Sequence, residues 1–160
     1  MEVRKAVTGI AVDRNVGKIT VRGVIDRPGV AAGLLQPLAD AGISVDVIVQ
    51  NASSDGTTDF TFTVDQANVE KAAEALGSDS VLEYTEIVTG SDLAKVSIVG
   101  TGMENTPGYA AKMFSTLSEV GVNIDMITTS EIRITTIIQK DQLQSAVQAL
   151  HDTFELEKTE

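Results

Sequence analysis

Asp26-Arg27-Pro28-Gly29 is the segment whose residue types and spacing can do chemistry. The proline fixes its own φ and keeps Arg27 out of the helical region, while the glycine lets a ligand come close to the backbone. The residues that follow have helical spacing, so the turn opens on a helix whose first N–H groups, those of Gly29, Val30 and Ala31, lack intrahelical acceptors. A single carboxylate matches such a site in size and charge. Asp26 stands to one side, where its own carboxylate can accept from an ammonium group. The two halves together complement a zwitterion, which makes an α-amino acid the natural ligand. Aspartate also caps helices often, and from these residues alone capping by Asp26 stays open as a competing reading.

Other chemistries are short of residues. The chain has no cysteine, which removes disulfides, thiolate nucleophiles and thiolate metal sites and suits the cytoplasm. His151 is the single histidine; it falls at the end of the last amphipathic segment and reads as a helix-end residue, not a triad member or zinc ligand. No GxxxxGK[ST] loop is present, and after Gly100-Thr101-Gly102 the third glycine of a dinucleotide fingerprint would fall at Asn105. Carboxylates such as Asp65, Glu70 and Glu74 read as solvated helix faces. No catalytic residue, metal or cofactor is therefore expected. With 12 basic and 23 acidic side chains, the net charge of -11 argues against nucleic acid or an anionic membrane as partner. Met1 to Val7 has no leader pattern, and no apolar run is long enough to span a bilayer.

The elements that must position the turn occur twice. Pro28-Gly29 recurs as Pro107-Gly108, an offset of 79 residues. At that offset Ala31, Leu34, Leu35 and Leu38 align with Ala110, Met113, Phe114 and Leu117, an apolar helix face in both copies, and Gly42 and Gly121 close the two helices. Ile43 to Ile48 and Val122 to Ile127 read as the next strands. Upstream, Gly17 to Ile25 and Ala94 to Gly100 are first strands, offset by 77, so the second copy carries two extra loop residues. Downstream, Phe60, Phe62 and Val64 alternate with Thr61 and Thr63, as Ile132, Ile134 and Ile138 do with Arg133 and, less cleanly, Thr135 and Ile137, giving a buried face and a wetter one. Val69, Ala72, Ala73 and Leu76 then match Leu143, Ala146, Val147 and Leu150 as a second helix. A strand at Val81 to Val88 and a linker at Thr89 to Asp92 complete the first copy. The expected fold is α+β, two ferredoxin-like βαββαβ units in tandem, each an antiparallel sheet with its helices on one face.

Four segments, Asp26-Arg27-Pro28-Gly29, Val45 to Asn51, Gly56 to Phe62 and Thr129-Ser130-Glu131-Ile132-Arg133-Ile134, resemble the regulatory region of aspartate kinases, which is built from ACT domains. The likeness covers almost the whole chain. It implies a first ACT domain at 16–90, inserted in a second, discontinuous one formed by 1–15 and 91–160, because the family's N-terminal strand, here about Ala6 to Asp13, joins the second domain. It also implies a homodimer with L-threonine, L-lysine or both bound between domains, and an aspartate kinase catalytic subunit as partner. The match carries a first site onto Asp26, Arg27, Pro28, Gly29, Val30, Ala31 and Gln50, faced by Asn123, Ile124 and Asp125 of an opposing second domain. A second site falls on Thr106, Pro107, Gly108, Tyr109, Ala110 and Ala111 with Ser130 and Glu131, faced by Ser44, Val45 and Asp46. Asn105 stands where the first copy has Asp26, so the first site is expected to be the tighter. Threonine is the first effector, with Gln50 reading its hydroxyl, and Glu131 leaves room for lysine. The alternative is a free-standing ACT sensor, or a subunit of another biosynthetic enzyme.

Overall fold

The computed structural model describes residues 6–78, 82–104 and 106–156. The chain divides into two compact units, Asn15–Asp92 and, around it in sequence, Met1–Arg14 with Leu93–Glu160. No helix among the described residues is long and apolar enough to cross a membrane.

In the first unit, strand β1 (Gly9–Ile25, from Asn15 onward), helix α1 (Val30–Asp40), strands β2 (Ile48–Ala52) and β3 (Thr57–Asp65), and helix α2 (Val69–Gly77) precede the start of β4 (Glu86–Val99). The middle strand β3 pairs antiparallel with β1, from Val16 opposite Asp65 to Ile25 opposite Thr57, and with β2, from Ile48 opposite Phe62 to Ala52 opposite Thr58. On the free side of β1, the Ile25 N–H donates to the Glu83 carbonyl (3.3 Å) and the Thr85 N–H to the Arg22 carbonyl (2.8 Å), so the chain entering β4 lies alongside β1 in the fourth position. Period-2 alternation sends Ile19, Val21, Phe60, Phe62 and Val64 to one face, where Leu34 and Leu38 of α1 and Ala72 and Leu76 of α2 close the core. Each fully buried leucine contributes about 1.5–3 kcal/mol to that closure.

The second unit repeats the plan. The Leu93–Val99 part of β4 pairs with β6 (Arg133–Gln139), and β6 with β5 (Ile124–Thr129), while α3 (Tyr109–Glu119) and α4 (Leu143–Thr153) cover Ala94, Val96, Ile98, Ile134 and Ile138. Its fourth strand comes from the N-terminus: the Thr8 N–H donates to the Val99 carbonyl at 2.8 Å. Both units are ferredoxin-like βαββαβ sheets.

Several local expectations need correction. Ile43–Val47 is not strand; the Ile43 N–H closes α1 on the Leu38 carbonyl, and the segment meets β3 irregularly at Thr63, whose carbonyl accepts from the Asp46 N–H (3.0 Å), whose N–H donates to the Val47 carbonyl (2.9 Å) and whose hydroxyl accepts from the Val47 N–H (3.0 Å). The strand therefore starts at Ile48, and its counterpart runs Ile124–Thr129 in place of Val122–Ile127. Thr89–Asp92, expected as a linker, does end where the first unit ends, but it is strand, lying inside β4, which continues through Asp92 at φ 57. Of the strand expected at Val81–Val88, Val81 lies outside the described residues, and regular strand begins at Glu86, after the Glu83 and Thr85 bonds to β1. The face expected to be wet is largely covered: Thr63, Thr135 and Ile137 are buried. Ile132, expected inside, is 50% exposed because it stands in the turn before β6. Ala31 is exposed on α1, whose buried residues are Leu34 and Leu38. Asp65 ends β3, where its carboxylate accepts from the Ala67 N–H at 2.9 Å and does not sit on a helix face.

Candidate functional site

The turn after β1 is built by long-range hydrogen bonds as much as by its own residues. The Asp26 N–H donates to the Gly56 carbonyl (3.0 Å) and the Val30 N–H to the Arg27 carbonyl (3.2 Å), and Gly29 at φ 89 delivers the chain into α1. No side chain caps α1, so the capping reading of Asp26 is overturned. The first intrahelical bond is from the Gly33 N–H to the Gly29 carbonyl. Val30 is thus engaged, contrary to expectation, because the tight turn uses its N–H. Among the described residues, the N–H groups of Gly29, Ala31 and Ala32 have no backbone acceptor, and the turn is exposed.

The second unit copies this geometry at Thr106-Pro107-Gly108. Gly108 has φ 103, no side chain caps α3, and the Lys112 N–H donates to the Gly108 carbonyl at 2.9 Å. Here the N–H groups of Tyr109, Ala110 and Ala111 have no backbone acceptor among the described residues. Thr106 is tied back through its N–H to the Met103 carbonyl (3.3 Å), and Asn105 lies outside the described residues.

Register places the remaining site residues. Ile25 pairs with Thr57 and Ala52 with Thr58, so β1 and β2 end level at the edge where α1 opens. Gln50 lies opposite Phe60, whose side chain is in the core, so Gln50 stands on the helix-facing side of an edge strand, about 10 Å across the sheet from β1. Gln50 and the turn therefore flank the same corner of the unit. In the second unit the residue at that register is Thr129, opposite Ile134, and not Ser130 or Glu131, which are exposed in the turn that the Ser130 N–H closes on the Arg133 carbonyl at 2.8 Å. Applying the offset of 79 to Gln50 would have found Thr129. Asn123 precedes β5 and Ile124 and Asp125 begin it, and Ser44, Val45 and Asp46 precede β2; each set lies at the far end of its own unit from that unit's turn.

Residues of the segment Gly56 to Asp59 hold the corner in shape. The Gly56 carbonyl receives Asp26, the Thr58 hydroxyl donates to the Asn51 carbonyl (3.1 Å), and the Asp59 carboxylate accepts from the Gly23 N–H (2.9 Å) at the bulge of β1. Sequence pattern gave no hint of these roles, since each depends on which strand lies alongside. Among the described residues, no group of His, Cys, Asp and Glu is placed to hold a metal ion.

Models of the ACT domain match residues 19–80 and 96–154. The chain is 48% identical over 153 residues to an aspartate kinase of Pseudomonas fluorescens and 44% identical over 152 residues to an aspartokinase of Corynebacterium glutamicum. These alignments cover 94% and 93% of the chain but only 37% and 36% of those relatives. Among solved structures, it superposes on the ligand-free regulatory subunit of aspartate kinase from Thermus thermophilus with a TM-score of 0.85 and 41% identity, covering 94% of this chain and 99% of that one. A chain from a crystal structure of aspartokinase alpha and beta subunits matches with a TM-score of 0.85 and 46% identity, at 94% and 100% coverage.

Proposed function

Because the chain belongs to the aspartate kinase family, as a regulatory region of two ACT domains, we propose that it senses an end-product amino acid and mediates feedback inhibition. Threonine is the first effector and lysine the second candidate. The chain acts as regulator only, in the cytoplasm; phosphorylation of L-aspartate by ATP is assigned to a catalytic subunit as its partner.

The observation that carries this reading is one corner built twice: a glycine turn with unfilled N–H groups beside an edge-strand residue, Gln50 in one unit and Thr129 in the other. Either corner is open, with its turn exposed. An antiparallel approach of two edge strands in a homodimer sets the start of one beside the end of the other. Asn123, Ile124 and Asp125 then face the Asp26 turn and Gln50, while Ser44, Val45 and Asp46 face the Thr106 turn and Ser130. Ile48 and Ile127, 47% and 45% exposed at the same position of β2 and β5, favour such a covering. Ligand bound across the joint favours one arrangement of domains, and a coupling of ~1–3 kcal/mol is enough to inhibit.

Calorimetric titration with threonine and then lysine, with the association state followed by sedimentation, tests the reading. Saturable threonine binding coupled to dimerisation, and inhibition when catalytic subunit is added, is the expected result. A preference for lysine moves the emphasis to Ser130 and Glu131. Binding by neither amino acid overturns the proposal.

A further inference from the structure

A cavity of about 250 Å³ lies wholly within the second unit, walled by Ala6 and Val7 of the incoming strand, Tyr109 and Lys112 of α3, and Thr153, Phe154 and Glu155 at the end of α4. We propose that it binds a small organic monocarboxylate with a flat apolar body, on the α4 side of Tyr109, the one residue that it shares with the second effector corner.

The cationic end is Lys112, whose ammonium stands 5.0 Å from the centroid of the Phe154 ring. A cation held over an aromatic face keeps donors for a carboxylate, while the ring and Val7 offer apolar surface to the rest of the ligand. Phe154 is only 8% exposed and Val7 3%, so this floor is part of the unit's packed core. Thr153, whose hydroxyl lies 3.2 Å from that of Thr116, adds a polar group at the side, and Tyr109 lines the cavity beside it. Glu155, at φ 52, lies on the rim and disfavours ligands with a second negative charge. The volume falls below the usual range for drug-sized ligands, which limits the occupant to roughly ten heavy atoms.

The wall formed by Ala6 is pinned. The Gly102 N–H donates to the Ala6 carbonyl at 3.3 Å, and a Cβ on Gly100 or Gly102 would collide with the Ala6 backbone. Tyr109 gives its backbone to the second glycine turn and its side chain to the cavity, so an occupant touches both the incoming strand and the helix that begins at that turn.

Benzoate is the probe, followed by amide chemical shifts of the full chain, with neutral benzyl alcohol as control. Saturable shifts at Ala6, Val7 and Phe154 without matching shifts at Ala110 and Ala111 are expected, with benzyl alcohol at least ~10-fold weaker, the usual size of one charged hydrogen bond. Lys112→Met, which keeps the stem on Phe154, should weaken benzoate by a similar factor, whereas Lys112→Arg should retain it. The proposal falls if benzoate gives no saturable shifts there, if benzyl alcohol binds equally well, or if K112M, shown folded by its spectrum, binds unchanged. Because binding is read directly at these amides, failure here leaves the effector reading standing, and the reverse.

Discussion

Replacing Asp26 by asparagine removes one charge and almost no volume. Asp26 is exposed, its side chain makes no bond among the described residues, and its backbone N–H on the Gly56 carbonyl is unaffected by the change. The fold should therefore hardly notice: a shift within about 0.5 kcal/mol, as for an ordinary surface substitution. Threonine binding should notice. A hydrogen bond to a charged partner is worth about 1.5–3 kcal/mol, and the open corner together with the acceptor that asparagine retains puts the loss at the lower end, about 1.5 kcal/mol or roughly tenfold in Kd. Calorimetry on both proteins at low and high salt is the assay. Wild-type affinity should fall with salt more than that of D26N, since only the former has the ion pair to screen. Unchanged affinity would refute the assignment of Asp26 to the ammonium group.

Gly29→Ala should destabilise by about 1–2 kcal/mol in urea unfolding, because space is open around an added Cβ and the whole cost is the left-handed backbone. Gly33→Ala, inside α1 and equally open, should instead stabilise by about 0.5–1 kcal/mol; equal effects at the two positions would contradict the conformational argument. Thr63→Val deprives the Val47 N–H of its hydroxyl acceptor at a buried position and should cost about 1–3 kcal/mol, with faster amide exchange at Val47 as the local signature. The Asp55 carboxyl lies below its ordinary 3.8 because the Thr57 hydroxyl, at 2.6 Å, and the Thr57 N–H, at 3.1 Å, bond its charged form. Its contribution to folding is therefore present above 3.8 and lost as pH falls through the lower folded value. Thr57→Ala should move the Asp55 titration, followed by NMR, back toward 3.8, and an unmoved titration would rule out the hydroxyl as the main cause.

Local pattern was enough to read the duplication, the helix faces of Leu34 and Leu38 and of Met113 and Leu117, and the glycine turns at Gly29 and Gly108. These are properties of a few consecutive residues: helical spacing, a proline that sets φ, a glycine that can go left-handed. The resemblance to aspartate kinase regulatory regions likewise rested on short ordered segments. What only the tertiary structure decided involves pairs of distant segments. Thr63 sets where β2 begins; Thr89–Asp92 continues as strand because it belongs to one long β4; Thr129, not Ser130, shares the register of Gln50; and Asp59 holds the bulge at Gly23. A strand's hydrogen bonds are made to a neighbour that its own sequence does not contain, so register, strand ends and the residues that brace a corner depend on two segments at once, whereas a helix or a turn satisfies most of its bonds within itself.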